Sequence, residues 1–477
     1  MATGVRDHQL EIDLEQQRNR DAAADKAPET APAAVDPHNA PWPRRDSVAT
    51  CAPAAAELEP RLVLEKVPTY MQPSLPWRER LMHFTFAWYT LTMSTSGIAL
   101  ILAITPHRFP GLSYIGLVIF ILDLVFFAII SVALVLRFVL YKRTVRRVFT
   151  HPTEALFIPT LFLSAAAILT NIKQYTALFL PADAGPASPG LSGFLRVTFW
   201  IYLAVTFAFS IIQYHLLFTV KAERRLTLGA MTPAWILPIF PVMLTGTLAG
   251  SFSDTQPADQ ALAIDCAGLA AQGLGILVSV FFFATYLHRL MAYGLPVQRP
   301  GMFIAVGPPS FTCAALVAMA ADVPRIFAAL YPSPSLSPPS YSAAAAAPTT
   351  AVIASALAGL GDTDTLAAGI QLLALSAAVF LWGLSFWFFA SASAAVAAAG
   401  MPDARFHLSW WSFVFPNVGF CIATVRIGAA LHSDGVLWLA SVMTALLFLA
   451  WLVIGYRCVR AVYRREIVWP GHDEDSD

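Results

Sequence analysis

Apolar residues gather in ten runs between about His83 and Tyr456, at 83–104, 114–136, 154–172, 194–218, 233–250, 262–287, 301–320, 367–396, 409–430 and 435–456. A helix needs roughly 20 apolar residues to cross ~30 Å of hydrocarbon, and the runs meet or approach that length. The pattern predicts an all-α membrane protein of ten transmembrane helices. Internal prolines fall only in odd-numbered runs: Pro159 in the third, Pro238 and Pro241 in the fifth, Pro308 and Pro309 in the seventh, Pro416 in the ninth. The first run carries Gly97 in a Ser/Thr-rich setting instead. Proline removes a helical hydrogen bond and bends the helix. Broken backbone at membrane depth is tolerated only where protein or a water-filled cavity satisfies the freed groups. The period of two therefore predicts five hairpins around a central pore, each pairing a kinked, pore-lining odd helix with a straight outer even one.

Composition points the same way, with 57% of the 477 residues hydrophobic and 13% charged, against about 25% charged in soluble domains. Residues 1–75 mix Ala, Pro and charge without periodicity and are expected to form a disordered cytoplasmic tail. A membrane domain is expected over 76–466 and an acidic cytoplasmic tail over 467–477. The first 30 residues lack the apolar core of a secretory signal, so the first helix is the expected insertion signal. With the N-terminus cytoplasmic, seventeen Lys and Arg from Arg78 to Arg465 flank the inner helix ends, while the outer side holds only Arg108, Lys173, Arg196 and Arg325. The positive-inside rule then places both termini in the cytoplasm of a multi-pass protein, with the plasma membrane as the expected location. The outer stretch PSPSLSPPSYSAAAAAPTT (332–350) reads as an extended loop.

None of the five lysines follows a glycine, so no phosphate-binding loop exists, and neither His-Glu-x-x-His nor Gly-x-Ser-x-Gly occurs. An ATP-driven pump and an integral-membrane enzyme are both disfavoured. Cys51, Cys266, Cys313, Cys421 and Cys458 show no metal-type spacing, and neither cofactor nor metal is expected. The zero net charge is sorted by topology and gives no reason to expect nucleic acid.

What the odd runs carry is hydroxyls and breaks: Thr92, Ser94, Thr95 and Ser96 in the first, Thr160 and Ser164 in the third, Thr245 and Thr247 in the fifth, Ser310 and Thr312 in the seventh. Broken helices point N-terminal dipoles at an anion without a full countercharge. A cation path would call for acidic rings, so the expected partner inside the bilayer is a small anion. Arg426 sits toward the outer end of the ninth run. It either draws an anion into the pathway or snorkels to the headgroups. Asp123 is either a helix-to-helix hydrogen-bond partner or a proton carrier. Glu154 suits the first turn of the third helix, where the dipole favours an acid, with proton coupling as the alternative.

Five segments carry a family resemblance: FTFAWYTLTMSTSGIALIL (Phe84–Leu102), HPTEALFIPTLFLS (His151–Ser164), TPAWILPIFPVMLTGTLAG (Thr232–Gly250), GMFIAVGPPSFT (Gly301–Thr312) and WWSFVFPNVGF (Trp410–Phe420). The chain resembles, over about Pro76 to Glu466, the tellurite-resistance and dicarboxylate transporter family. That family includes plant slow-type anion channels, fungal sulfite efflux pumps and fungal malic acid transport proteins, and the malic acid branch is the nearest in character. The resemblance implies ten helices in five hairpins around a pore, a homotrimer with one pore per subunit, and a pore-blocking phenylalanine before a proline on the ninth helix, here Phe415. It also implies transport of malate or another C4-dicarboxylate by a channel or secondary transporter, with sulfite efflux as the alternative within the fold. A membrane-embedded enzyme or sensor is the alternative of another class. The run Met93-Ser94-Thr95-Ser96-Gly97 has serines where relatives carry glycine, and the 332–350 loop resembles an insertion. The pathway-lining set is expected to include Thr95, Ser96, Pro159, Thr160, Pro238, Pro241, Pro308, Pro309, Pro416 and Arg426, with coupling to protons open.

Overall fold

The computed structural model describes residues 76–181, 185, 188–222, 225–331, 363–400 and 405–468. The tail expected over 1–75, the 332–350 loop and the acidic end at 473–477 lie outside them. Among the described residues there is no strand, and ten helices have 13 residues or more. We label them α1 (Tyr89–Ile104), α2 (Leu112–Leu140), α3 (Thr160–Phe179), α4 (Pro189–Phe218), α5 (Phe240–Phe252), α6 (Ala258–Tyr293), α7 (Gly307–Leu330), α8 (Thr363–Ala399), α9 (Phe415–Ala430) and α10 (Asp434–Tyr463).

Odd and even helices differ in burial as sharply as in proline content. In the segments ending in α1, α3, α7 and α9 the apolar 18-residue stretch is 89%, 61%, 89% and 72% buried, whereas in α2, α4, α6, α8 and α10 it is 28%, 28%, 33%, 17% and 17% buried. Nearly every residue of α5 is buried too. The odd helices close a ring, each touching the next in the order α1, α3, α5, α7, α9 and back to α1. Each even helix lies over the groove between two odd ones: α2 over α1 and α3, α4 over α3 and α5, α6 over α5 and α7, α8 over α7 and α9, α10 over α9 and α1. The outer helices are apolar all round because one side meets the ring and the other meets lipid.

Nine segments among the described residues are long and apolar enough to cross a membrane. The tenth expected span, around 233–250, is split into a 3₁₀ turn (Pro233–Ile236) and the 13-residue α5. Breaks of this kind recur. Short helical segments, 3₁₀ at Phe86–Trp88, Arg299–Val306 and Leu408–Phe413 and α at Pro152–Phe157, precede α1, α7, α9 and α3 respectively. The prolines sit at these junctions rather than mid-helix: Pro159 caps α3, Pro238 lies in the turn before α5, and Pro241, Pro308 with Pro309, and Pro416 occupy the first positions of α5, α7 and α9. Proline is tolerated there because that N–H has no intrahelical acceptor in any case. Its effect is to start a new helix, and the kink expected within each odd helix is a break ahead of it. Among the described residues, Pro324 of α7 does lie inside a helix, beyond the expected run.

Small residues set the closest approaches, as in membrane bundles generally. A Cβ on Gly246 of α5 would lie 2.8 Å from the backbone oxygen of Gly268 on α6, so these two backbones touch. At the other level, Arg137 at the end of α2 is not a solvated cation. Its Nη1 pairs with Glu154 Oε1 at 2.5 Å, with side-chain exposures of 1% and 0%, and also donates to Phe84 O at 3.0 Å. His151 Nδ1 caps the turn carrying Glu154 by accepting from the Glu154 N–H. One ion pair thus ties the end of α2 to the entries of α1 and α3.

Candidate functional site

The breaks bring three aromatic rings together. Phe240 opens α5, Phe415 opens α9, and Phe311 lies in the second turn of α7. Their ring centroids are 5.7 Å (Phe240–Phe311), 6.3 Å (Phe240–Phe415) and 5.2 Å (Phe311–Phe415) apart, spacings typical of attractive aromatic pairs. All three are buried. Glycine makes their seats: a Cβ on Gly307 would lie 2.7 Å from the Phe240 ring, and one on Gly419 would lie 2.6 Å from the Phe311 ring. Three of the five ring helices therefore meet through phenylalanines just past their breaks. Phe240 and Phe311 were not singled out from the sequence, although Phe240-Pro241 repeats the Phe415-Pro416 dipeptide.

The hydroxyls are largely committed to neighbouring helices. Thr95 Oγ1 donates to Leu91 O at 2.8 Å and accepts from Trp451 Nε1 of α10 at 3.1 Å. Ser96 Oγ accepts from Asn171 Nδ2 of α3 at 2.9 Å. Thr160 Oγ1 donates to Phe86 O at 2.9 Å, and Ser164 shares a 2.7 Å bond with Thr92. These bonds stitch α1 to α3 and α10. By contrast, the buried Thr245 Oγ1 on α5 has no hydrogen-bond partner among the described residues. Asp123, fully buried on α2, faces Ser96, yet neither carboxyl oxygen closes a hydrogen bond of normal geometry.

Eleven residues after Phe415, about 16 Å further at 1.5 Å per residue, Arg426 reaches a cavity of about 390 Å³ at the C-terminal ends of the inner helices. All five ring elements contribute to it, through Ile104, Lys173, Gly250, Asp322 and Arg426 among others. Five charges line it: Arg108, Lys173 and Arg426 against Asp254 and Asp322. Lys173 Nζ holds Asp254 Oδ2 at 2.7 Å. Arg325 grips Asp322 through Nε and Nη2, both at 2.7 Å, the two-pronged geometry that suits guanidinium and carboxylate. Arg108 Nε is tied back to Thr105 O at 2.8 Å. Arg426 makes no hydrogen bond or ion pair with a described residue. Sequence reading counted Lys173 among the outer-side cations and did not single out Asp254 or Asp322, because the Lys173–Asp254 contact joins positions 81 residues apart and leaves no local signal.

The chain is thus a multi-pass, all-α membrane protein built as a ring of broken helices inside a ring of long ones, and it belongs to the voltage-dependent anion channel family, which it matches over residues 83–459. Among individual relatives, it is 32% identical over 412 residues to the malic acid transport protein of Schizosaccharomyces pombe, covering 85% of this chain and 84% of that one. It is 30% identical over 413 residues to the putative malic acid transport protein of the same yeast, covering 85% and 86%. A sulfite efflux pump of Trichophyton rubrum is 25% identical over 362 residues, covering 74% and 83%. Relatives of this family move anions across membranes, and anion transport is the class of activity the comparisons support.

Proposed function

We propose that the protein carries small carboxylate anions, malate or another C4-dicarboxylate, along the axis of the inner ring, with Phe415 as the gate and Phe240 and Phe311 completing the block. The observation that carries this reading is the contact of three phenylalanines from three ring helices just past the proline breaks. Aromatic rings that close a narrow axis stop ions by size and by dewetting. Malate is favoured over sulfite because identity to the malic acid transport protein extends over more of the chain than identity to the sulfite pump.

In this reading all ten segments cross the bilayer, the short α5 doing so together with the turn before it. Both termini are cytoplasmic, the membrane is the plasma membrane, and the Arg426 cavity opens outward. Malate is a dianion near neutral pH, and a negative interior opposes its entry by about 2.3 kcal/mol per charge per 100 mV. Net uptake therefore requires co-transported protons or the monoanion. Labelled malate uptake by yeast lacking its own carrier tests the substrate. Uptake above the empty vector is expected, and neither uptake nor efflux above it would overturn the proposal. A gain in sulfite tolerance without malate flux would assign the chain to the sulfite branch.

A further inference from the structure

We propose that the cavity at the C-terminal ends of the inner helices is a carboxylate-binding site formed by Arg426 and Lys173, for which Asp254 is a built-in competitor. The inference rests on the transport reading above and names the groups that recruit its substrate. Arg426 belongs to an inner-ring helix and lines a space bounded by the other ring helices, so its guanidinium faces this cavity and not the lipid headgroups. A half-buried guanidinium without a protein partner is costly unless water or an anion answers it. Of the other charges here, Asp322 is already held by Arg325, and Asp254 by Lys173. That leaves Arg426 without a hydrogen-bonded acid of its own, Asp254 acting on it only through space, with Arg108 beside it.

The Lys173–Asp254 pair shows what a ligand would do. Lys173 lies in the wall, its side chain 13% exposed, while Asp254 is the outward partner at 55% exposure. A carboxylate entering the cavity offers Lys173 the same ligand that Asp254 offers from the rim. Arg426 presents a planar fork suited to one carboxylate, and Lys173 a point charge suited to a second. A dicarboxylate engages both cations, and a monocarboxylate engages one. Because Asp254 competes for Lys173, the bound anion is held loosely enough to move on, which conduction demands of any site along a path.

Replacing Arg426 and Asp254 must then act with opposite signs. In malate uptake kinetics, Arg426→Gln is expected to raise the apparent KM about tenfold, the worth of one charge-assisted hydrogen bond, with the maximal rate preserved. Asp254→Asn is expected to lower the KM, and Arg426→Lys to restore part of the loss. Malate-induced thermal stabilisation of the purified full-length chain should change in the same order. An unchanged KM in correctly inserted Arg426→Gln, or a raised KM in Asp254→Asn, would overturn the site. If Arg426→Gln does not insert, Lys173→Gln takes its place with the same expectation. Should the wild type not transport malate, the stabilisation series still decides: malate stabilising the wild type more than Arg426→Gln keeps the site while the transport proposal falls, and equal stabilisation overturns the site.

Discussion

Arg137 and Glu154 form an ion pair with almost no exposure to solvent, and neither Arg137 Nε nor Glu154 Oε2 has a partner among the described residues. Removing one member of such a pair strands the other, at a cost of about 3–5 kcal/mol. Glu154→Gln is therefore expected to lower the melting temperature in detergent markedly. Arg137→Met combined with Glu154→Gln should recover part of the loss, and a single mutant melting like the wild type would contradict the pairing. Sequence reasoning put Glu154 in the first turn of the third helix, whereas it lies in the short segment ahead of α3, and it counted Arg137 among the Lys and Arg at the inner helix ends; the two are seventeen positions apart, which hides the contact. For Phe415 the opposite holds. Its neighbour proline and the family resemblance pointed to it, while Phe240 and Phe311 became visible only once three helices were placed together. Thr95 and Ser96 were legible as polar positions inside an apolar helix. Their partners Trp451 and Asn171, on other helices, were not.

At the scale of elements, the alternation of proline-bearing and proline-free runs translated directly into an inner and an outer ring. The reason is physical: broken backbone cannot face lipid, so elements with breaks are driven to the interior. The location of the breaks was less legible. A proline in a hydrophobic run reads equally as a kink or as the first residue of a new helix, and only the backbone distinguishes them. The 233–250 run shows the difference, because Pro238 and Pro241 leave a 13-residue α5 that relies on α6 for its packing. Gly246 permits that packing, and a Cβ there would fall 2.5 Å from Gln272 Oε1. Gly246→Leu is expected to separate α5 from α6, at the 1–3 kcal/mol typical of overpacking, and to reduce the yield of monodisperse protein on size exclusion. An unchanged elution profile and melting temperature would contradict the close approach.

For the molecule as a whole, the outer helices expose large apolar side chains such as Phe281, Leu373, Phe380 and Val459, suited to lipid or to other copies of the chain. We propose a trimer with one pathway in each subunit. Native mass spectrometry from mild detergent should find three copies together, and monomers alone would contradict it. The central claim is that anions cross through the axis of the inner ring, past the three phenylalanines. Its most direct test is voltage clamp of oocytes expressing wild type or Phe415→Ala, with malate, sulfite, nitrate and chloride in turn. Replacing Phe415 removes the ring that touches both Phe240 and Phe311, so a several-fold rise in anion current is expected at equal surface expression, with malate among the permeant ions. A Phe415→Ala protein that reaches the surface normally and carries no more current than wild type would contradict the account.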